Sequence, residues 1–387
     1  MGKSAPGQRR VEHAEFERCL RRAYKRGAPQ ARPVRLPSPK GIRVSGDPSC
    51  ATLHLSSAAV LGNMQEDASA FEGWALVLVA WCGVGRVLID WDVPDSAALD
   101  SDPGHYQRFL YRVHRFAHLL GPDRVGVCRE DRLSLLRVGL GQPAVFTVAG
   151  EPRIANHGAA PGNWRGLGED ALERWLTAPD SPACLRLMAG LGLRRIDRQF
   201  PVGIFAGKVA GANRVFPAAR SAIDIIGIGE NRALWLMELK AGRNAKVGAL
   251  SELFFYSMAM HDALTDRGCW RFADPVVSVK SCIQPEDVQG CDRIEARLME
   301  PPIHPLLDPE TEAGRRVFGF LNDGAARLGW KVAYATLDLG QFLDPEPPGL
   351  TPLRPDTQSQ TKTGCFHHEG QIGPASEALV RVSDDTR

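Results

Sequence analysis

Long apolar runs are missing from this chain of 387 residues. None reaches the roughly 20 residues of a membrane-crossing helix, and the Arg-rich N-terminus is not followed by the apolar core of a secretory signal. The expectation is a cytoplasmic protein with no membrane partner. Also missing is any CxxC pair. The nine cysteines, an odd number, suit free thiols in a reducing compartment better than a disulfide framework. Net charge is nearly absent too: 47 basic against 45 acidic residues leave +2, so a polyanion would have to be met by local patches. No GxGxxG follows a strand, and no GxxxxGK[ST], GxSxG or HExxH occurs. Without an NTP site of its own, the chain is not a motor.

What is present is ordinary globular composition, 44% apolar and 24% charged, enough for a sizeable core and two domains with tails. The stretch that organises the rest is 221–246. Two apolar runs, Ile223–Ile228 and Ala233–Leu239, flank a polar break at Gly229–Arg232, the pattern of a β-hairpin. Both runs are apolar on both faces, so the sheet is expected to be covered by helices on each side. Three charges interrupt it: Asp224 in the first strand, Glu238 and Lys240 at its end in the second.

Glu238 and Lys240 are two apart and share a strand face. With Glu230–Arg232 as the loop, Asp224 faces Glu238, their Cβ atoms roughly 4.5–5.5 Å apart; a one-residue slip would separate them. Two buried carboxylates that close repel each other. A divalent cation resolves the conflict, and Mg²⁺ takes one or two carboxylates while keeping positions for water and phosphate oxygens. Lys240 beside it would orient a water or neutralise charge growing on a phosphate. The bland reading is a buried salt bridge of Lys240 with either acid.

Asp224, thirteen residues, then Glu238-Leu239-Lys240 resembles the catalytic core of the PD-(D/E)-x-K nucleases, with Ile223 in place of the proline. The resemblance covers about residues 168–280 and implies an α/β fold: a restriction-endonuclease-like mixed sheet flanked by helices. It implies a metal-dependent nuclease acting on DNA, with RNA not excluded, in restriction, repair or defence. Asp224 and Glu238 would be metal ligands for Mg²⁺ (or Mn²⁺), and Lys240 would be catalytic. Families with this core often add an acid from the first helix. Glu169 fits that place best, and on a helical wheel it lies nearer the Leu172, Trp175, Leu176 stripe than Glu173 does. Some relatives carry a Gln and a Tyr on the following helix, where this chain has Glu252 and Tyr256. The alternative function is a non-catalytic nucleic-acid- or protein-binding module on the same fold.

Around this core, residues 1–44 form a basic arm, with twelve Lys or Arg against three Glu, and 11–25 can be helical. Residues 45–150 read as a separate N-terminal α/β domain, a surface for a second copy or a partner protein. Within it, 74–81 and 84–93 are expected to be buried strands. A helix is expected over 105–120, with Arg108 and Arg112 in a basic stripe facing solvent or a nucleic-acid backbone. Asp90 and Asp92 lack an ExK partner and read as a strand end. A Gly/Pro/Asn-rich linker over 151–167 leads into the nuclease-like domain, 151–340. There a helix from Gly168, a strand over 198–205, the hairpin and a helix at about 245–264 follow in the order the resemblance implies. The tail 341–387 has a disordered composition. Arg243 and Lys246, just past the hairpin, are candidate phosphate contacts.

Overall fold

The structure, a computed structural model, describes residues 11–27, 34–101, 103–134, 144–147, 167–206, 210–217, 221–241, 246–265, 270–272, 281–299 and 303–343. It is mixed α/β. In chain order the first part runs β1 (Val11–Glu12), α1 (His13–Gly27), β2 (Ile42–Gly46), β3 (Cys50–Leu55), α2 (Ser57–Val60), α3 (Phe71–Cys82), β4 (Arg86–Trp91), α4 (Ser96–Ser101), α5 (Pro103–Leu120), β5 (Val125–Val127), α6 (Glu130–Leu133) and β6 (Ala144–Thr147). The second part runs α7 (Glu169–Thr177), α8 (Pro182–Leu191), β7 (Leu193–Pro201), β8 (Gly203–Phe205), β9 (Ala222–Gly229), β10 (Ala233–Leu239), α9 (Gly248–Leu264), β11 (Trp270–Phe272), α10 (Pro285–Gln289), β12 (Arg293–Met299), α11 (Glu312–Arg327), β13 (Val332–Leu337) and α12 (Gly340–Leu343).

The strands form three sheets, β1-β2-β3-β4-β5, β13-β12-β10-β9-β7 and β11-β6-β8. In the second sheet β9 pairs antiparallel with β7 and β10, whereas β12 runs parallel to β10 and β13 parallel to β12. Its hairpin is apolar on both faces because each face has its own core. Ile226, Ile228, Leu234 and Leu236 enter the larger core; Ile225, Met237 and Leu239 enter a smaller one under α7, α8 and α12. The hairpin loop is Glu230–Arg232, and Arg232 sits at φ 57°. That left-handed third residue is how a three-residue hairpin loop closes.

Four expectations are corrected. Residues 74–81 are not a strand: α3 buries every side chain from Phe71 to Trp81 and ends at Gly83, φ 68°. A run apolar all round fits either structure, and its twelve-residue length favours a helix. The stretch 198–205 is broken at Val202, because β7 and β8 belong to different sheets. The arm is partly built into the fold, since β1 pairs with β2 and α1 buries Phe16, Leu20 and Tyr24. Finally, the α5 stripe is interior: Arg108, Arg112 and Arg115 are all buried.

That last inversion has a physical cause. Besides the first sheet, α5 packs against α11, so two sides of the helix are covered. Arg112 donates from Nε to Glu72 of α3 at 2.7 Å and also bonds the Ser69 carbonyl. Arg115 meets Asp262 of α9 at 2.6 Å, and Tyr111 donates to the same carboxylate at 2.8 Å. Arg108 lies 3.1 Å from His105 Nδ1. Arg112 and Arg115 tie α5 to α3 and α9 across a low-dielectric interior, where each buried cation needs an anionic or dipolar partner.

A single cluster of buried apolar side chains runs from Phe16 to Tyr334 and takes in α3, α5, α9 and both larger sheets. The expected boundary near 151 therefore does not divide the core. The linker over 151–166 and the tail from 344 onward lie outside the described residues. No helix among the described residues is long and apolar enough to cross a membrane.

Candidate active site

The hairpin register brings the acids together. The ladder pairs Leu236 with Ile226 and Met237 with Ile225, so the next facing pair is Glu238 and Asp224. There the ladder gives way to the side chain: Asp224 Oδ2 accepts the Leu239 N–H at 3.0 Å. Lys240 lies two residues past Glu238, and its own N–H bonds Met299 of β12 at 2.9 Å. The strand end is thus held from both sides.

Lys240 Nζ donates to Glu238 Oε1. It also lies 3.4 Å from Glu252 Oε2 and 3.7 Å from Asp224 Oδ2. Glu252 comes from α9, a mostly apolar helix laid over β10 and β12. Three carboxylates from three elements therefore surround one ammonium. Glu238 and Lys240 are interior, while the Asp224 side chain keeps 15% exposure and forms the open edge of the cluster.

A fourth acid joins at that edge. Glu173 Oε2 accepts from Gln199 Nε2 at 2.8 Å and from Arg198 Nη1 at 3.3 Å. The same Gln199 amide reaches Asp224 Oδ1 at 3.4 Å. Gln199 has φ 51° inside a β-strand, an unusual conformation for a residue with a side chain. Backbone strain of this sort costs about 1–3 kcal/mol and persists only where the surroundings impose it. Here it sits opposite Asp224, between the Arg198–Ile225 and Phe200–Ile223 pairs.

Burial and like charge set the protonation. Burial is the main cause that raises Asp224 to about 6, with Lys240 opposing and Glu252 adding to the rise. Burial followed by Asp224 and Glu252 lifts Glu238 well above the ordinary carboxylate range. Glu173 is pushed up to about 7, by burial first and Asp224 second. Burial alone would depress the Lys240 ammonium, but Glu238, Glu252 and Asp224 together hold it above its ordinary value. Tyr256, one turn beyond Glu252, has its phenol raised by burial and by the same acids.

Among the described residues no group of three His, Cys, Asp or Glu side chains is arranged to hold a metal ion. The reason is visible: the lysine ammonium stands among the carboxylates. The donor chemistry nonetheless fits a hard divalent cation. Asp224, Glu238, Glu252 and Glu173 offer oxygen alone and outnumber Lys240 and Arg198, and Glu252 Oε2 is buried with no hydrogen-bond partner.

The remaining candidates fall as follows. Glu169 is half-buried at the start of α7, where Oε1 accepts from Ala241 N at 3.4 Å. Glu173, one turn on, is the buried acid beside Asp224, which reverses the helical-wheel order of the two. Lys246 lies 3.0 Å from both Glu66 oxygens rather than standing free. Arg243 lies outside the described residues, and Arg108 and Arg112 are in the interior. The other acidic pair is bonded within its own cluster, with His54 bridging Asp90 at 2.8 Å and Asp92 at 3.1 Å and Arg129 on Asp90 at 2.8 Å. Two participants had no usable signal in the sequence: Gln199, which needs the strand kink, and Gln65, which donates to Glu252 Oε1 at 2.6 Å from 187 residues away.

Comparison with models of known families, with curated proteins and with solved structures gives no match for this chain.

Proposed function

We propose that this chain is a metal-dependent nuclease of the PD-(D/E)-x-K kind, hydrolysing phosphodiester bonds of DNA. One observation carries the reading: Asp224, Glu238 and Lys240 converge on one end of a buried hairpin, with Glu252 and Glu173 closing in from two helices. Helix, strand, hairpin, helix is also the element order that the resemblance calls for, here α7 and α8, β7, β9–β10 and α9. The restriction-endonuclease-like fold is part of the same proposal, as are Mg²⁺ (or Mn²⁺) and a role in restriction, repair or defence.

Asp224 and Glu238 would hold the ion, with Glu173 and Glu252 adding negative charge around it. When bound, a divalent cation supplies Lewis-acid activation of the phosphoryl oxygen and of a water. Lys240 holds a positive charge beside the reacting phosphate and a donor for the attacking water. Glu173, titrating near neutrality, is placed to take a proton from that water, and Gln199 orients it. Exposed Arg22, Lys25 and Arg26 on α1 offer backbone contacts.

The burial of Glu238 and Lys240 favours a second reading, a non-catalytic nucleic-acid- or protein-binding module that keeps the fold. Plasmid nicking separates the two. The nuclease nicks with Mg²⁺, is stopped by chelator, and fails as Glu238→Ala or Lys240→Ala. The binding module shifts plasmid on a gel and leaves it intact in every version.

A further inference from the structure

We propose that Gln65 is a positioning residue of the acid cluster, and that the cluster is assembled only while the 63–67 loop between α2 and α3 is seated on α9. Its importance for catalysis rests on the nuclease reading; its geometry does not. Gln65 Nε2 donates to Glu252 Oε1 at 2.6 Å, and the other oxygen of that carboxylate lies 3.4 Å from Lys240 Nζ. A carboxylate free to rotate presents either oxygen in many directions. With one oxygen claimed by an amide, the second is fixed toward the lysine.

The seating of the loop is built in at several points. Gly248, the first residue of α9, has no side chain where the loop crosses: a Cβ there would stand 2.0 Å from the Gln65 carbonyl oxygen. Gly73 permits the same closeness on α3, where a Cβ would stand 2.5 Å from Val247. Asp67 Oδ1 accepts the Gly248 N–H at 3.3 Å, which anchors the loop to the start of α9. Lys246 clasps Glu66 with two contacts of 3.0 Å. Trp74 Nε1 donates to the Asp67 carbonyl at 2.9 Å, so the loop is also held to α3. Four of these attachments hold Gln65, Glu66 and Asp67, the residue that touches Glu252 and its two successors.

The test measures the Glu252–Lys240 coupling by a double-mutant cycle, Glu252→Gln with Lys240→Met, in chemical unfolding of the full-length, metal-free protein. The cycle is repeated in the Gln65→Met background, which keeps the volume and removes the donor. It is repeated again in the Gly248→Ala background, which keeps Gln65 and pushes the loop away. The coupling is expected to fall to about half or less in both backgrounds. In cleavage assays Gln65→Met should lower kcat about 10- to 100-fold, the usual cost of losing an outer-shell partner, with KM for plasmid within about twofold. A coupling unchanged in both backgrounds, with stability reduced, overturns the proposal and leaves Gln65 a tether. Absence of any cleavage by the unaltered protein overturns the nuclease reading alone, and the metal-free cycle still decides the role of Gln65.

Discussion

Asp224 accepts the backbone N–H of Leu239 at 3.0 Å, so the first acid of the pattern holds the strand that carries the other two charged residues. The pairing makes Asp224 both a structural cap and the exposed edge of the site. Removing its charge and removing its acceptor are therefore different experiments.

Asp224→Asn retains an oxygen for Leu239 and removes one charge from the repelling group. In metal-free buffer near pH 8 its stability is expected to equal or exceed that of the unaltered protein, read by denaturant midpoint. Cleavage should fall by about 10²–10³-fold. Asp224→Ala loses the acceptor as well, leaving a buried N–H at a cost of about 1–3 kcal/mol against the same relief. Should both variants be equally destabilised, the carboxylate repulsion described above is wrong.

The pH dependence of stability has a definite sign. Asp224 and Glu173 have folded values of about 6 and about 7, above their ordinary 3.8 and 4.5. The folded protein therefore binds more protons than the unfolded chain between these limits, and the stabilisation is complete below the ordinary values. It is lost as pH rises through about 6 to 7. Denaturant titrations from pH 8 down to 5 should show metal-free stability rising. The Glu173→Gln variant, which cannot titrate there, should show a shallower rise.

Divalent cation should compete with protons for the same carboxylates. At about 100 times its dissociation constant, a ligand of the folded state adds roughly 2.7 kcal/mol. Mn²⁺ or Mg²⁺ should raise the Tm at pH 8 more than at pH 5.5, and chelator should reverse it. Glu238→Ala should abolish the shift. A Tm indifferent to either ion at both pH values would leave Asp224 and Glu238 without a metal role.

Arg112 distinguishes interior from interface. Its guanidinium is bonded to buried Glu72 and to the Ser69 carbonyl. Truncation to alanine leaves an unpaired buried carboxylate, a loss of about 3–5 kcal/mol. In whatever fraction stays folded, DNA affinity should match that of the unaltered protein. By contrast, charge reversal at the exposed Arg22, Lys25 and Arg26 should weaken DNA binding and flatten its salt dependence by about 0.9 per lost contact. Gel shifts across a salt series measure both.

By itself, the sequence determined the elements whose pattern is local. The hairpin, its three-residue loop and the facing of Asp224 and Glu238 follow from two short apolar runs, the polar break between them and the loop length, which set register over a few residues. The helix over 105–120 follows from its apolar periodicity in the same way. Only the tertiary structure decided what surrounds those elements. It turned the α5 arginines inward, because burial depends on what lies across from a helix and not on its own stripe. It made 71–82 a helix where apolar character alone left two choices. It chose Glu173 over Glu169 beside Asp224 and brought Gln199 in through one left-handed residue. It placed Gln65 against Glu252 across 187 positions. A contact over that distance is fixed by how helices and sheets stack, and no local pattern encodes it.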